Sequence, residues 1–151
     1  MIKREAYIKQ IRPFINKNII KVLSGLRRSG KSVMLKLIQE ELVQQGVDRG
    51  QFIAINFESA EHSLLKNGDA LYQELKKRLA ELAGKAYLFL DEIQEVTAWE
   101  TCVNSLLVDF EVDIYITGSN ANLLSGELAT YLAGRYVEIK VYPFSLSLIH
   151  I

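Results

Sequence analysis

The stretch Gly25-Leu26-Arg27-Arg28-Ser29-Gly30-Lys31-Ser32 limits the possible folds of this chain more than any other segment. Its spacing is G-x-x-x-x-G-K-S, and it lies where one hydrophobic periodicity gives way to another. Before it, Ile19-Ile20-Lys21-Val22-Leu23 reads as a buried strand; after it, Val33 to Gln45 carries apolar side chains at helical spacing. A strand that curls through glycines into a helix gathers unpaired backbone N–H groups at one point, and the helix dipole favours an anion there. Such a curl is a cradle for a polyphosphate. The expected binding residues are Gly25, Arg28, Ser29, Gly30, Lys31, Ser32 and Val33. Lys31 is expected to set its ammonium against the β- and γ-phosphates, and Ser32 to offer its hydroxyl to Mg²⁺.

A second constellation is Leu88-Phe89-Leu90-Asp91-Glu92, which ends an apolar strand in two adjacent acids. Open α/β sheets bind their ligands beyond the carboxyl ends of strands, so the pair falls where chemistry is expected. Asp91 is the candidate metal residue opposite Ser32, through the ion's water shell. Glu92 is the candidate general base for a water attacking the γ-phosphate.

Between and after these motifs, strand and helix patterns alternate. The segment with Tyr7, Ile8, Ile11, Phe14 and Ile15 keeps a helical stripe that Pro13 divides into two short helices. Strands are expected at 19–24, 52–57, 86–90 and 112–117, followed by an alternating one in which Val137, Ile139 and Val141 share a face. The helix after the first strand ends near Gly46, and Gly84 closes the one carrying Leu71, Tyr72, Leu75, Leu79 and Leu82. Thr97-Ala98-Trp99-Glu100 has a capping-box pattern and opens a helix with Trp99, Val103, Leu106 and Leu107 inward. Leu124, Leu128 and Leu132 mark a further helix ended by Gly134. Five strands separated by helices imply a mainly parallel sheet covered on both faces. The polar face of the last strand places it at an edge, and the wholly apolar third strand belongs in the middle.

Together these motifs resemble the AAA+ ATPases, and most closely prokaryotic AAA-type ATP-binding proteins with a further C-terminal domain. The resemblance is carried by the two motifs above, by Ile116-Thr117-Gly118-Ser119-Asn120, and by Gly134-Arg135-Tyr136. It implies a three-layer α/β/α P-loop NTPase fold with a five-stranded sheet in the order 5-1-4-3-2. It also implies ATP and Mg²⁺ as ligands; the preference for ATP over GTP rests on the resemblance alone. Asn120 matches a polar sensor of the γ-phosphate, although an Asx turn capping the next helix is the plainer role. Arg135 falls where an arginine finger completes a neighbouring subunit's site, or else is a surface arginine at a helix end. Asn56 resembles a residue that holds the catalytic glutamate until a partner binds. Related proteins continue into a helical lid with a second sensor. Here residues 1–143 are read as the ATPase core and 144–151 as an unstructured or truncated tail, so weak turnover is expected.

Composition narrows the class. At 49% hydrophobic and 24% charged, 151 residues make one domain able to bury a core. The charged N-terminus Met1-Ile2-Lys3-Arg4-Glu5 is no signal peptide, and no apolar run spans a membrane; a cytoplasmic protein is expected. Cys102 is the only cysteine, which excludes an internal disulfide, and neither His62 nor His150 has a partner at ligand spacing. The zero net charge is uneven: residues 1–36 hold ten Lys/Arg against one acid, Glu5. That surplus either frames the phosphate site or meets nucleic acid, and no aromatic–basic interleaving supports the latter. A homo-oligomer or a protein partner remains open. The expected activity is Mg-dependent ATP hydrolysis; the alternative is a nucleotide-binding sensor or docking module that hydrolyses nothing.

Overall fold

The computed structural model describes residues 2–26, 30–119, 123, 132 and 134–142. Among these residues five strands form one wholly parallel sheet: β1 (Ile20–Ser24), β2 (Phe52–Asn56), β3 (Ala86–Asp91), β4 (Val112–Gly118) and β5 (Tyr136–Lys140). Their order is β2-β3-β4-β1-β5, the expected 5-1-4-3-2 read from the other edge. Residues of β1, β3 and β4 are buried throughout, whereas β2 and β5 expose alternate residues, as strands at an edge do.

Among the described residues, four α-helices cover the faces: α1 (Ile2–Ile11), α2 (Lys31–Gln44), α3 (Gly68–Ala80) and α4 (Trp99–Asp109). On one face α1 and α2 bury Tyr7, Ile11, Met34 and Ile38 against Leu23, Phe89 and Tyr115. On the other, α3 and α4 bury Leu71, Leu75, Val103 and Leu106 against Val22, Leu88 and Ile116. Burying each such side chain contributes about 1.5–3 kcal/mol, so two cores of this size hold the sheet rigid between them. Pro13 sits in a 3-10 turn (Arg12–Phe14) directly after α1, as its missing N–H requires.

The helix start at Trp99 differs from the expected capping box. Ala98 occupies the cap position with φ +56°, and the Thr97 hydroxyl donates to the Lys66 carbonyl instead. The pairing of Thr97 with Asn67 draws this residue to the start of α3 and away from α4. A capping box does form at Asp48 and Gln51, ahead of β2.

Three of the basic residues among the first 36, Arg12, Lys21 and Lys31, meet acidic partners within the fold. Lys21, fully buried in β1, pairs with the equally buried Asp113 of β4, and Lys31 is buried at the C-terminal end of the sheet. Arg12 bridges Glu5 and Glu41.

The Lys21–Asp113 pair is a network. Lys21 also donates to the Lys17 carbonyl at 2.8 Å, and Asp113 accepts from the Asn16 amide at 3.0 Å and the Tyr115 hydroxyl at 2.6 Å. Tyr87 donates to Asn16 Oδ1 at 2.7 Å. Burial pushes the Lys21 ammonium below its ordinary range, with Asp113 acting in the opposite sense. The network pins the connection between α1 and β1 to the N-terminal ends of β3 and β4, remote from the glycine-rich turn.

Candidate active site

Parallel strands put all five C-terminal ends at one edge of the sheet, and the register fixes what meets there. Ser24 lies beside Gly118 on one flank and Lys140 on the other, and Asn56 lies beside Asp91. Gly25 follows directly on β1, and Gly30, whose φ of +98° is a left-handed conformation that suits glycine, caps α2. Lys31 and Ser32 thus occupy the first turn of α2, above the ends of β3 and β4. Val33, in the same turn, is 37% exposed.

The side chains converge. The Lys31 ammonium donates to the carbonyls of Gly25 (2.9 Å) and Leu26 (2.8 Å) and to Ser119 Oγ (2.9 Å), and stands 3.7 Å from Glu92. Ser32 Oγ donates to Asp91 Oδ2 at 2.6 Å. The Thr117 hydroxyl donates to Asp91 Oδ1 and accepts from the Glu92 amide at 2.8 Å. One threonine thereby fixes the first acid by its side chain and the second by its backbone.

Adjacent residues of a strand point to opposite faces, so two neighbouring acids would not normally share a site. Glu92 resolves this by leaving β3 in a left-handed conformation, φ +59° and ψ +54°. For a non-glycine residue that costs roughly 1–2 kcal/mol. The strained turn lets Asp91 reach Ser32 while Glu92 reaches Lys31. Both carboxylates are buried, at 7% and 4% exposure.

Glu92 is held on both oxygens. Ser119 Oγ lies 2.7 Å from Oε1 and 2.9 Å from Oε2, and Gln94 Nε2 donates to Oε1 at 2.7 Å. Gln94 Oε1 in turn accepts from the Ser119 amide at 3.2 Å. Asn56 takes no part: it is exposed, and its Oδ1 accepts from the Glu58 amide. Thr117, Ser119 and Gln94 had no assigned role in the sequence, although Thr117 and Ser119 stand in the quoted 116–120 motif and Gln94 follows the acid pair by two residues. Their signal was position, since polar residues at the end of a buried strand face its neighbour's end. Gly118 lets Leu123 and Gln94 close over the strand end: a Cβ there would come within 2.3 Å of Leu123 Cδ2 and 3.1 Å of Gln94 Oε1, so these side chains would have to shift.

Arg28, Ser29 and Asn120 lie outside the described residues, as do most of the expected helix around Leu124 and Leu128 and the tail after Tyr142. Arg135 is described and does not join this site. It precedes Tyr136, which pairs with Ile20, so it lies at the opposite end of the sheet, about 16 Å away at the rise of a strand. There it is exposed and donates to Asn104 Oδ1.

The donor set suits a hard divalent cation, since a hydroxyl and a carboxylate stand side by side with no soft ligand near. An open groove of about 420 Å³ reaches the pair, lined by Ser32, Lys36, Asn56, Ser59, His62 and Asp91 among others. Cys102 belongs elsewhere: it is buried in α4, where desolvation pushes its thiol up to about 12.

A strand–glycine turn–helix with lysine and serine facing a paired-acid strand, on a parallel sheet of this order, defines a three-layer α/β/α P-loop NTPase fold. Within that class the chain belongs to the AAA domain family, whose model (AAA_14) matches residues 17–149, and it has an AAA+ P-loop ATPase core. It is 50% identical over 145 residues to an uncharacterized protein of Haemophilus influenzae, covering 96% of this chain and 36% of that protein. It is 36% identical over 146 residues to an uncharacterized protein of Methanocaldococcus jannaschii, covering 96% and 30%. The chain thus spans about a third of the length of the curated relatives it matches. Among solved structures, a DNA polymerase III gamma subunit-related protein from Thermotoga maritima superposes with a TM-score of 0.62. Sequence identity there is 14%, with 89% of this chain and 45% of that one covered. At that identity the likeness is one of fold. Among the described residues no helix is long and apolar enough to cross a membrane.

Proposed function

We propose that this chain binds Mg·ATP and hydrolyses it to ADP and phosphate, with residues 1–143 as the ATPase core. The observation that carries this reading is the convergence of Lys31, the Ser32–Asp91 pair and Glu92 at the ends of β1 and β3. The turn amides and Lys31 would bind the phosphates; to do so, the ammonium exchanges the Gly25 and Leu26 carbonyls for phosphate oxygens. Ser32 and Asp91 would hold Mg²⁺, which when bound neutralises charge on the β- and γ-phosphates. Glu92 would take a proton from water as its oxygen bonds to the γ-phosphorus and the bond to the β–γ bridging oxygen breaks. Burial of Glu92 keeps bulk water from competing for that proton. Asn120 remains our candidate γ-phosphate sensor. Arg135, at the far end of the sheet, is a candidate for a neighbouring copy's site rather than its own. We place the protein in the cytoplasm.

A nucleotide sensor that does not hydrolyse is favoured by one observation: both Glu92 oxygens already have protein partners, Ser119 at each and Gln94 at Oε1. Calorimetry with Mg·ATP and phosphate release on the same sample separate the two. Lys31→Ala is expected to abolish binding. Glu92→Gln is expected to bind like the parent and release no phosphate; release at the parental rate would remove the base assignment, and binding with no release by the parent would establish the sensor.

A further inference from the structure

The engagement of Glu92 is asymmetric, and the asymmetry assigns a role to Gln94. Of the groups on its carboxylate, Lys31 and Ser119 form one chain of contacts, because Ser119 Oγ accepts from the ammonium while facing both carboxylate oxygens. A polyphosphate that draws Lys31 away must disturb that chain. Gln94 approaches Oε1 independently of Lys31 and is braced at its other end by the Ser119 main chain. Its amide uses a donor toward the acid and its acceptor toward β4, an arrangement that neither a carboxylate nor an apolar side chain of the same length reproduces. Its location also follows from the backbone. The left-handed turn at Glu92 is followed by a single 3-10 turn (Ile93–Glu95), which folds Gln94 back over Glu92. Ile93, fully buried, anchors that turn in the core.

We propose that Gln94 is the positioning residue for Glu92. It keeps Oε1 occupied and the carboxylate plane fixed while Lys31 and Ser119 change partners, so that Oε2 is the atom freed toward water. The β4 end that carries Ser119 is thereby tied to the base through one side chain, and nucleotide contact at Ser119 reaches Glu92 along it. This inference rests on the reading of Glu92 as the base.

The test compares the parent with Gln94→Met, which lacks both functions, and Gln94→Glu, which keeps the acceptor for Ser119 but loses the donor. Both variants are expected to lower kcat about 10- to 100-fold, the range for groups that orient a reacting ligand from behind, while KM and the Kd for Mg·ADP stay within about twofold. Without nucleotide, the Ser119 amide is expected to exchange its hydrogen faster in Gln94→Met and at the parental rate in Gln94→Glu. A folded variant of either kind with kcat within about twofold of the parent overturns the proposal, as does a loss of affinity that parallels the loss of turnover. Should Gln94→Met fail to fold, the Gln94 side-chain amide resonances of the parent serve instead: they must move on Glu92→Ala, and their constancy refutes the contact. Phosphate release by Glu92→Gln at the parental rate would sink the base assignment and this inference together. An inactive Glu92→Gln beside fully active Gln94 variants would sink the inference alone.

Discussion

Thr117→Val removes one oxygen at the point where both acids are fixed, and changes almost no volume. Thr117 is fully buried, and its hydroxyl serves two partners: it donates to the Asp91 carboxylate and accepts from the Glu92 amide. A hydrogen bond to a charged group contributes about 1.5–3 kcal/mol, and a buried N–H left without an acceptor costs about 1–3 kcal/mol. Partial relaxation toward Ser32 and Ser119 lowers the combined effect, and a loss of about 3 kcal/mol is expected. For a chain of this size that is a fall in Tm of about 6–12 °C. The consequence for binding follows from Asp91, which would keep Ser32 but lose its second anchor, so the Mg-dependent part of ATP affinity should fall about tenfold. Thr117→Ser is the control. It keeps the hydroxyl, loses a buried methyl, and should cost only about 1 kcal/mol with normal Mg·ATP affinity. Differential scanning calorimetry and titration with ATP, with and without Mg²⁺, read both effects. A valine variant melting within 1 °C or so of the parent, with unchanged Mg·ATP affinity, would refute the claim that this hydroxyl holds the acid pair.

Three further outcomes are expected. Asp113→Ala should cost about 3–5 kcal/mol in urea denaturation, because it strands the buried Lys21 ammonium, whereas Lys21→Met with Asp113→Leu should cost less than the single change; a larger loss in the double variant would contradict this. Cys102, with its thiol pushed up to about 12 by burial, should resist a thiol-specific disulfide reagent at pH 8. Its labelling rate should rise with denaturant and, because folding opposes thiolate formation, stability should fall as pH climbs past the unfolded thiol's value of about 8.5 toward 12. Arg135→Ala should leave nucleotide Kd unchanged in dilute solution, and any loss of turnover should appear only where hydrolysis per chain rises with protein concentration. A weaker Kd at high dilution would place Arg135 in its own chain's site.

Much of the architecture was legible because strand and helix periods are local properties. The apolar run at 86–90, the alternation at 137–141 and the stripe through Met34, Leu35, Ile38 and Leu42 each fixed an element and its buried face. Gly46 and Pro13 punctuated them by backbone chemistry that needs no tertiary context. Thr97 misled for the converse reason: its hydroxyl can serve several acceptors, and the bridge to Asn67 selected Lys66 over the helix start.

The sequence by itself determined the chemical cast at this site: glycines for the turn, Lys31 and Ser32 at a helix start, and two acids ending a buried strand. Residue type and spacing suffice there, because the constraint runs along the chain. Only the tertiary structure decided who restrains Glu92. That role fell to Ser119 and Gln94 rather than Asn56, because strand register and a left-handed turn choose which neighbours a side chain meets. It alone also showed that Lys21 pairs with Asp113, Arg12 with Glu5 and Glu41, and Lys31 with Glu92. Charge pairing across a sheet is a relation between strands 92 residues apart, and no local pattern encodes it.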